Sequence, residues 1–294
     1  LEFRRVLFRS ALLPSIVPSA LFPRAVASSQ SAQQLATIVA PALGGLLYAF
    51  GSVWVYGPTV VLYLIACVLT LNLPARQTPL NKAKATMDSL LAGIRFIRSR
   101  PDILGAISLD LFAVLLGGAT ALLPVFAKDI LLTGAWGLGL LRSAPAVGAL
   151  LMSLWLARFS VDRHVGRVMF TAVGVFGVAT IAFGLSTSFW FSLAVLVVLG
   201  AADMISMVIR ASFVQLETPD DMRGRVSAVN GLFIGASNQL GEFESGITAH
   251  WFGTVPAVVM GGIGTLVVTG AWIKLFPTLA NRDRMHVPVD ETTA

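Results

Sequence analysis

The sequence predicts an all-α polytopic membrane protein, a helical bundle of about eight transmembrane helices. Three observations carry that reading. The chain has 294 residues, of which 56% are hydrophobic and 12% charged, about half the charged share of a soluble domain. Its mean hydropathy is +0.81. Apolar runs of roughly twenty residues, long enough to cross a hydrocarbon layer of ~30 Å, recur between Gly, Pro and Ser breakers. Together these exclude a soluble enzyme and a disordered chain. Cys67 is the single cysteine, so no intramolecular disulfide forms. One cysteine and three histidines also make a structural zinc site an unattractive reading.

Leu1–Ser10 (LEFRRVLFRS) reads as foreign, like a short-read sequencing adapter translated in frame, and is left out of the fold. Without its three arginines and one glutamate, the net charge falls from +6 to +6 − 3 + 1 = +4. On this expectation the protein begins upstream and the chain is an N-terminally truncated fragment. Ala11–Ala27 contains Pro14, Pro18 and Pro23 and is too broken to span, so it is assigned to the interface.

Eight spans follow in order: Ser29–Phe50, Val53–Leu73, Ile103–Ala127, Trp136–Ala157, Val168–Thr187, Phe189–Arg210, Val226–Phe252 and Val255–Phe276. The longest polar stretch, Pro74–Pro101, divides them two before and six after. Within it Met87, Leu90, Leu91, Ile94 and Ile97 recur at helical spacing, with Thr86 as cap and Pro101 as stop. This predicts an amphipathic helix lying on the membrane surface. The expected organisation is a remnant of an N-terminal half at 11–73, a cytoplasmic link at 74–101, a six-helix half at 102–277 and a tail at 278–294.

With the link inside, sixteen of the eighteen remaining Lys and Arg fall on the cytoplasmic side, and Lys128 and Arg142 toward the other. The positive-inside rule predicts such an asymmetry. Basic charge therefore encodes topology, with a cytoplasmic C-terminus, and no nucleic acid is needed to explain it.

Local motifs give the resemblance. Ala40-Pro41-Ala42-Leu43-Gly44-Gly45 is similar to the G-P-x-x-G-G core of a fifth-helix antiporter motif, with alanine at the first glycine. Asp162-Arg163-His164-Val165-Gly166-Arg167 looks like a loosened D-R-x-G-R loop with one extra residue. The loop from Thr218-Pro219 through Arg223-Gly224-Arg225-Val226 is similar to the T-P-x-x-x-R-G-R-V loop of one exporter branch. The chain thus resembles transporters of the major facilitator superfamily, in the enterobactin-exporter and transmembrane-secretion-effector branch, from Ala11 to Phe276. The resemblance implies helices five to twelve of twelve and proton-coupled efflux of a siderophore- or drug-like small molecule. It also implies a bacterial inner-membrane location and a monomer when complete. The fragment itself, with half a central site, is expected not to transport. Pro41, Gly44 and Gly45 equally suit plain close packing of a Gly-rich helix. Arg223 and Arg225 suit either a gate latch or simple topology charges.

Acids inside spans are the strongest functional clue, since each is costly in hydrocarbon and faces a cavity or partner. Four stand out: Asp110, Asp203, Glu242 and Glu244. Asp110 lies nearer the cytoplasmic end of its span, within reach of the interface. In the seventh span Ser227, Asn230, Ser237, Asn238, Gly241, Glu242 and Ser245 form one polar stripe. Glu244 sits about 200° around from Glu242, from about 3.6 residues per turn, and suits a neighbouring helix. Asp203, Ser206 and Arg210 share a face. Similar depths make Arg142 and Glu242 an expected ion pair. Each acid also suits a structural ion pair.

No catalytic constellation competes: no HExxH, Walker loop or GxSxG occurs, and Gly117-Gly118 and Gly261-Gly262-Ile263-Gly264 lie inside spans. No enzyme, metal or cofactor is expected; the expected partners are the bilayer, a small-molecule substrate and protons. A non-transporting membrane sensor or scaffold of the same fold, and a lipid flippase, remain open alternatives.

Overall fold

The computed structural model describes residues 36–48, 50–71, 87–159, 161 and 163–284. The expectations for Leu1–Ser10, Ala11–Ala27, Asp162, the link before Met87 and the tail beyond 284 lie outside the described residues.

Those residues fold into helices alone. They are α1 (Ala36–Tyr48), then α2 (Ser52–Leu71), α3 (Met87–Ser99), α4 (Pro101–Leu116), α5 (Gly134–Arg158), α6 (Val165–Gly184), α7 (Phe189–Glu217), α8 (Asp220–Phe252), α9 (Thr254–Leu275) and α10 (Pro277–Ala280). Six stretches are long and apolar enough to cross a membrane: α2, 101–130, α5, α6, α7 and α9. Helix α8 occupies the predicted seventh span, and its polar stripe keeps it out of that group.

Local chemistry sets the boundaries. Pro101 occupies the first turn of α4, where a missing N–H costs nothing, and Asp102 adds negative charge at the helix's positive end. Gly117 and Gly118 end α4. The chain continues through a 3₁₀ turn, Ala119–Leu122, and a π turn, Phe126–Ile130, so the third span is broken rather than continuous. Gly253 turns the chain from α8 into α9 with φ of +91°, a conformation that favours glycine.

Helix α7 packs on α5 and α6, α9 packs on α6 and α4, and α8 packs on α4, α3 and α9. One apolar cluster, around Phe126, Leu141, Phe183 and Leu196, fills the end near Gly253. A second, around Leu109, Met169, Ile209, Phe213 and Leu279, fills the opposite end. That opposite end carries Arg100, Arg158, Arg163, Arg167, Arg225 and Arg282 and is called the basic end below. Helix α2 is exposed along nearly its whole described length.

Two points are sharpened. The amphipathic helix α3 packs part of its apolar face on protein: Ile97 is buried with Ile103, Val214, Val226 and Val229. A Cβ on its Gly93 would lie 3.0 Å from the Arg225 carbonyl oxygen. It docks there because the first turns of α8, from Asp220 onward, run past the cavity residues and offer it a surface. The residues from Asp220 onward are accordingly the opening turns of α8 rather than a loop.

Candidate functional site

A cavity of about 380 Å³ opens between α4, α5, α7 and α8, with Thr37 of α1 on its rim. Its charged and amide residues are Arg142 from α5, Asp203 from α7, and Asn238 and Glu242 from α8. Backbone geometry brings them together. Helices α5 and α7 cross where glycines remove side-chain bulk: a Cβ on Gly148 would lie 1.9 Å from the Val197 carbonyl oxygen. One on Gly200 would lie equally close to the Pro145 carbonyl oxygen, at 1.9 Å. This crossing sets the Arg142 and Asp203 turns beside one another.

On α8 the predicted stripe divides in two. Ser237, Gly241 and Ser245 are buried and face α4: a Cβ on Gly241 would lie 2.9 Å from the Val114 carbonyl oxygen. Asn238 and Glu242, one residue further round, face the cavity. Small residues let two backbones approach, and the neighbouring long polar side chains are left in open space. Gly118, at the end of α4, serves the same contact, while Gly117 meets Phe176 and Thr265, and Gly261 and Gly262 pack on Leu116 and Gly177.

Arg142 and Glu242 therefore face one cavity, as their depths suggest, but no ion pair joins them. Both side chains are exposed to that space, and charges left open in this way need no direct partner to offset burial. Glu244 does point away, yet its partner is on its own helix: the Thr248 hydroxyl donates to Oε1 at 2.8 Å. Asp110 does not reach an interface. It is buried, and its carboxylate is paired with the guanidinium of Arg210, whose side chain is 5% exposed. The sequence reading placed Arg210 on the face of Asp203 and Ser206 but missed this partner. The seven-residue spacing of Asp203, Arg210 and Glu217 on α7 was the available signal.

The motif residues sort by contact. Gly45 packs on Gly139 of α5, with Pro41 against the same residue, whereas a Cβ on Gly44 would meet no other group within 4 Å and Ala40 is exposed. Gly166 lies under the 279–280 backbone: a Cβ there would be 1.9 Å from the Leu279 carbonyl oxygen. Arg163, Arg167, Gly224 and Arg225 are exposed; the Arg225 guanidinium donates to the Met222 sulfur at 3.3 Å. The Arg223 side chain is outside the described residues. The cross-helix tie at the basic end belongs to another residue. Arg282, just beyond α10, donates to Asp102 Oδ2 at 2.8 Å and also pairs with Glu217, while its guanidinium carbon sits 5.7 Å over the Phe213 ring. Its neighbour Asp283 accepts the His164 backbone N–H at 3.1 Å. Sequence spacing gave no signal for a tie spanning 180 residues. Among the described residues no group of His, Cys, Asp and Glu could hold a metal.

The model of the Major Facilitator Superfamily covers residues 8–242. The chain belongs to the Major Facilitator Superfamily. Among curated relatives, the enterobactin exporter EntS of Escherichia coli O1:K1 / APEC is 27% identical over 259 residues, 87% of this chain and 58% of that protein. The proteins of the same name from Shigella boydii serotype 18 and Escherichia coli O157:H7 (strain EC4115 / EHEC) match at the same 27% and the same coverage. The chain spans 58% of the length of these relatives. As a member of the superfamily it is a multi-pass membrane protein, and the exporter resemblance read from its motifs agrees with the names of its relatives.

Proposed function

We propose that this chain supplies the cavity-bearing helical half of a secondary active exporter that moves a small, siderophore- or drug-like molecule out of a bacterial cell against inward proton flow. The observation that carries the reading is the convergence of Arg142, Asp203, Asn238 and Glu242 on one cavity from three helices. Charged groups at such depth are costly unless they serve a polar path. An arginine and two acids in one space can exchange partners, so that substrate or proton binding at one carboxylate changes the field at the others.

The orientation follows from charge. The basic end is assigned to the cytoplasm by the positive-inside rule, which places the C-terminus inside and His250 near the outer face. The 11–73 segment is assigned to the N-terminal half and 102–277 to the C-terminal six-helix half. The docking of α1 on α5 through Gly45 and Gly139 supports an antiporter-type contact between these two halves. Two halves rocking about a midplane site would alternate its access.

The test is uptake of a radiolabelled catecholate siderophore into inverted vesicles bearing the complete gene product, with an imposed proton gradient. Export requires gradient-driven uptake that collapses with a protonophore and falls sharply in Arg142→Ala and Glu242→Gln. Uptake indifferent to the gradient would refute proton coupling. A non-transporting sensor or a flippase would show, respectively, no flux or competition by lysolipid.

A further inference from the structure

On α7, Asp203, Arg210 and Glu217 recur every seven residues and so share one face of the helix. Asp203 sits at the midpoint of the 29-residue helix. Arg210 meets Asp110 of α4 in the buried pair, and Glu217 shares Arg282 with Asp102 at the foot of α4. The α4–α7 seam is thus a file of alternating charges from the central cavity to the basic end.

Between Asp203 and Asp110 lies a small pocket of about 10 Å³, touched by both and by Ser206 and otherwise walled by apolar side chains such as Val173 and Phe176. That is room for about one water, which needs two to four polar partners; two carboxyls and a hydroxyl supply them. Asp203 is the one polar residue that borders both this pocket and the central cavity. The charged and amide groups around it are Arg142 from α5, Asn238 and Glu242 from α8, and Asp110 from α4; the α6 residues at the pocket, Val173 and Phe176, bring no charge.

We propose that Asp203 and Asp110 form a two-carboxyl proton relay through a single bridging water, gated by Arg210. The relay rests on the proton-coupled reading above and names its route. A proton held by the Asp203 carboxyl passes to the water, which gives one of its own protons to an Asp110 oxygen. One O–H bond breaks at Asp203, one forms at Asp110, and the water is regenerated. Protonated Asp110 loses its charge attraction for Arg210. Arg210 stays charged throughout, so while paired it neutralises Asp110 and repels an unaccompanied proton; release of the pair is the event that substrate movement can use.

Infrared difference spectroscopy of the chain in lipid, acid minus neutral, tests the relay without requiring transport. The wild type should include two carboxyl C=O bands, from Asp203 and Asp110, whose midpoints depend on one another, both shifting down in deuterated water as exchangeable carboxyls do. Asp203→Asn should remove one band and move the midpoint of the other. A surviving Asp110 band with an unchanged midpoint overturns the proposal. In proteoliposomes with an internal pH dye, Arg210→Gln should raise passive proton flux several-fold, and adding Asp203→Asn should return it to baseline. A leak that persists in that double variant also overturns it. Because Asp110→Asn alone strands a buried arginine, the Asp110→Asn/Arg210→Gln pair is the folded control, and it should lose the Asp110 band with no leak. Coupled carboxyl bands without gradient-driven uptake would refute the export reading and leave the relay standing; uptake with uncoupled bands would do the reverse.

Discussion

A Cβ on Gly45 would lie 2.8 Å from the Gly139 Cα, so α1 and α5 cross with their backbones in contact. The relation is reciprocal: a Cβ on Gly139 would lie 2.5 Å from the Pro41 carbonyl oxygen. Neither obstacle is a flexible side chain, so neither can yield without shifting a helix. Gly139→Val should therefore lower stability by about 1–3 kcal/mol, the usual cost of overpacking, and speed amide exchange across 36–48. Gly44→Ala, with nothing within 4 Å, should match the wild type in both. Thermal unfolding in detergent and deuterium exchange by mass spectrometry check the contrast. Equal effects at Gly44 and Gly139 would mean that the motif acts through helix flexibility instead.

The Arg282 tie makes a second prediction. One guanidinium satisfies Asp102 and Glu217, each carboxylate side chain being under a fifth exposed. Arg282→Ala leaves two acids side by side with no cation, and the loss of charge-assisted hydrogen bonds costs roughly 1.5–3 kcal/mol. Adding Asp102→Asn and Glu217→Gln to Arg282→Ala should recover part of that loss, because the stranded charges are gone. Chemical denaturation of the wild type and the two variants reads this order directly. No recovery in the triple variant would assign the effect to lost packing on Phe213.

The periodicity of apolar runs was enough to place α2 and α4 to α9, because a span must satisfy its own backbone and bury or expose one kind of surface. The site was legible only in part. The depths of Arg142 and Glu242 could be counted along single helices, so their shared cavity was foreseeable. Whether they touch depends on how widely α5 and α8 stand apart, which is set by the α8–α4 contact at Gly241 and leaves no trace in the spacing. Asp110 was misjudged for a related reason: its depth says nothing of Arg210, a hundred residues later. The packing of α3 on α8 left no mark in the sequence, because amphipathicity records an apolar face without saying what covers it.

The α5–α7 crossing yields a third prediction. Gly200 lines the central cavity and faces the Pro145 backbone. Gly200→Ala should push α7 from α5 and change the cavity before it unfolds the bundle. The expected readout is altered alkylation of a cysteine placed at Arg142, in a Cys67→Ser background, by a membrane-impermeant maleimide. Gly174→Ala on α6, where nothing lies within 4 Å, should leave alkylation unchanged. Loss of all folded protein with Gly200→Ala would show that the crossing is needed for assembly instead.

The separation of Arg142 from Glu242 gives the last prediction. A permanent bridge between them would show as a coupling energy, since neighbours that share a contact deviate from additivity by about 0.5–3 kcal/mol. Two solvated side chains across a cavity should instead lose stability independently. A double-mutant cycle on Arg142→Gln and Glu242→Gln is therefore expected to be additive in thermal or denaturant unfolding, within about 0.5 kcal/mol. The same cycle read on ligand binding should not be additive. A ligand seated between the two groups feels both fields, and removal of either charge changes what the other contributes. Coupling in stability with additivity in binding would invert the picture, making the pair a structural bridge that opens only in another conformation. Coupling in neither would place the ligand elsewhere in the cavity, toward Asp203 and Asn238.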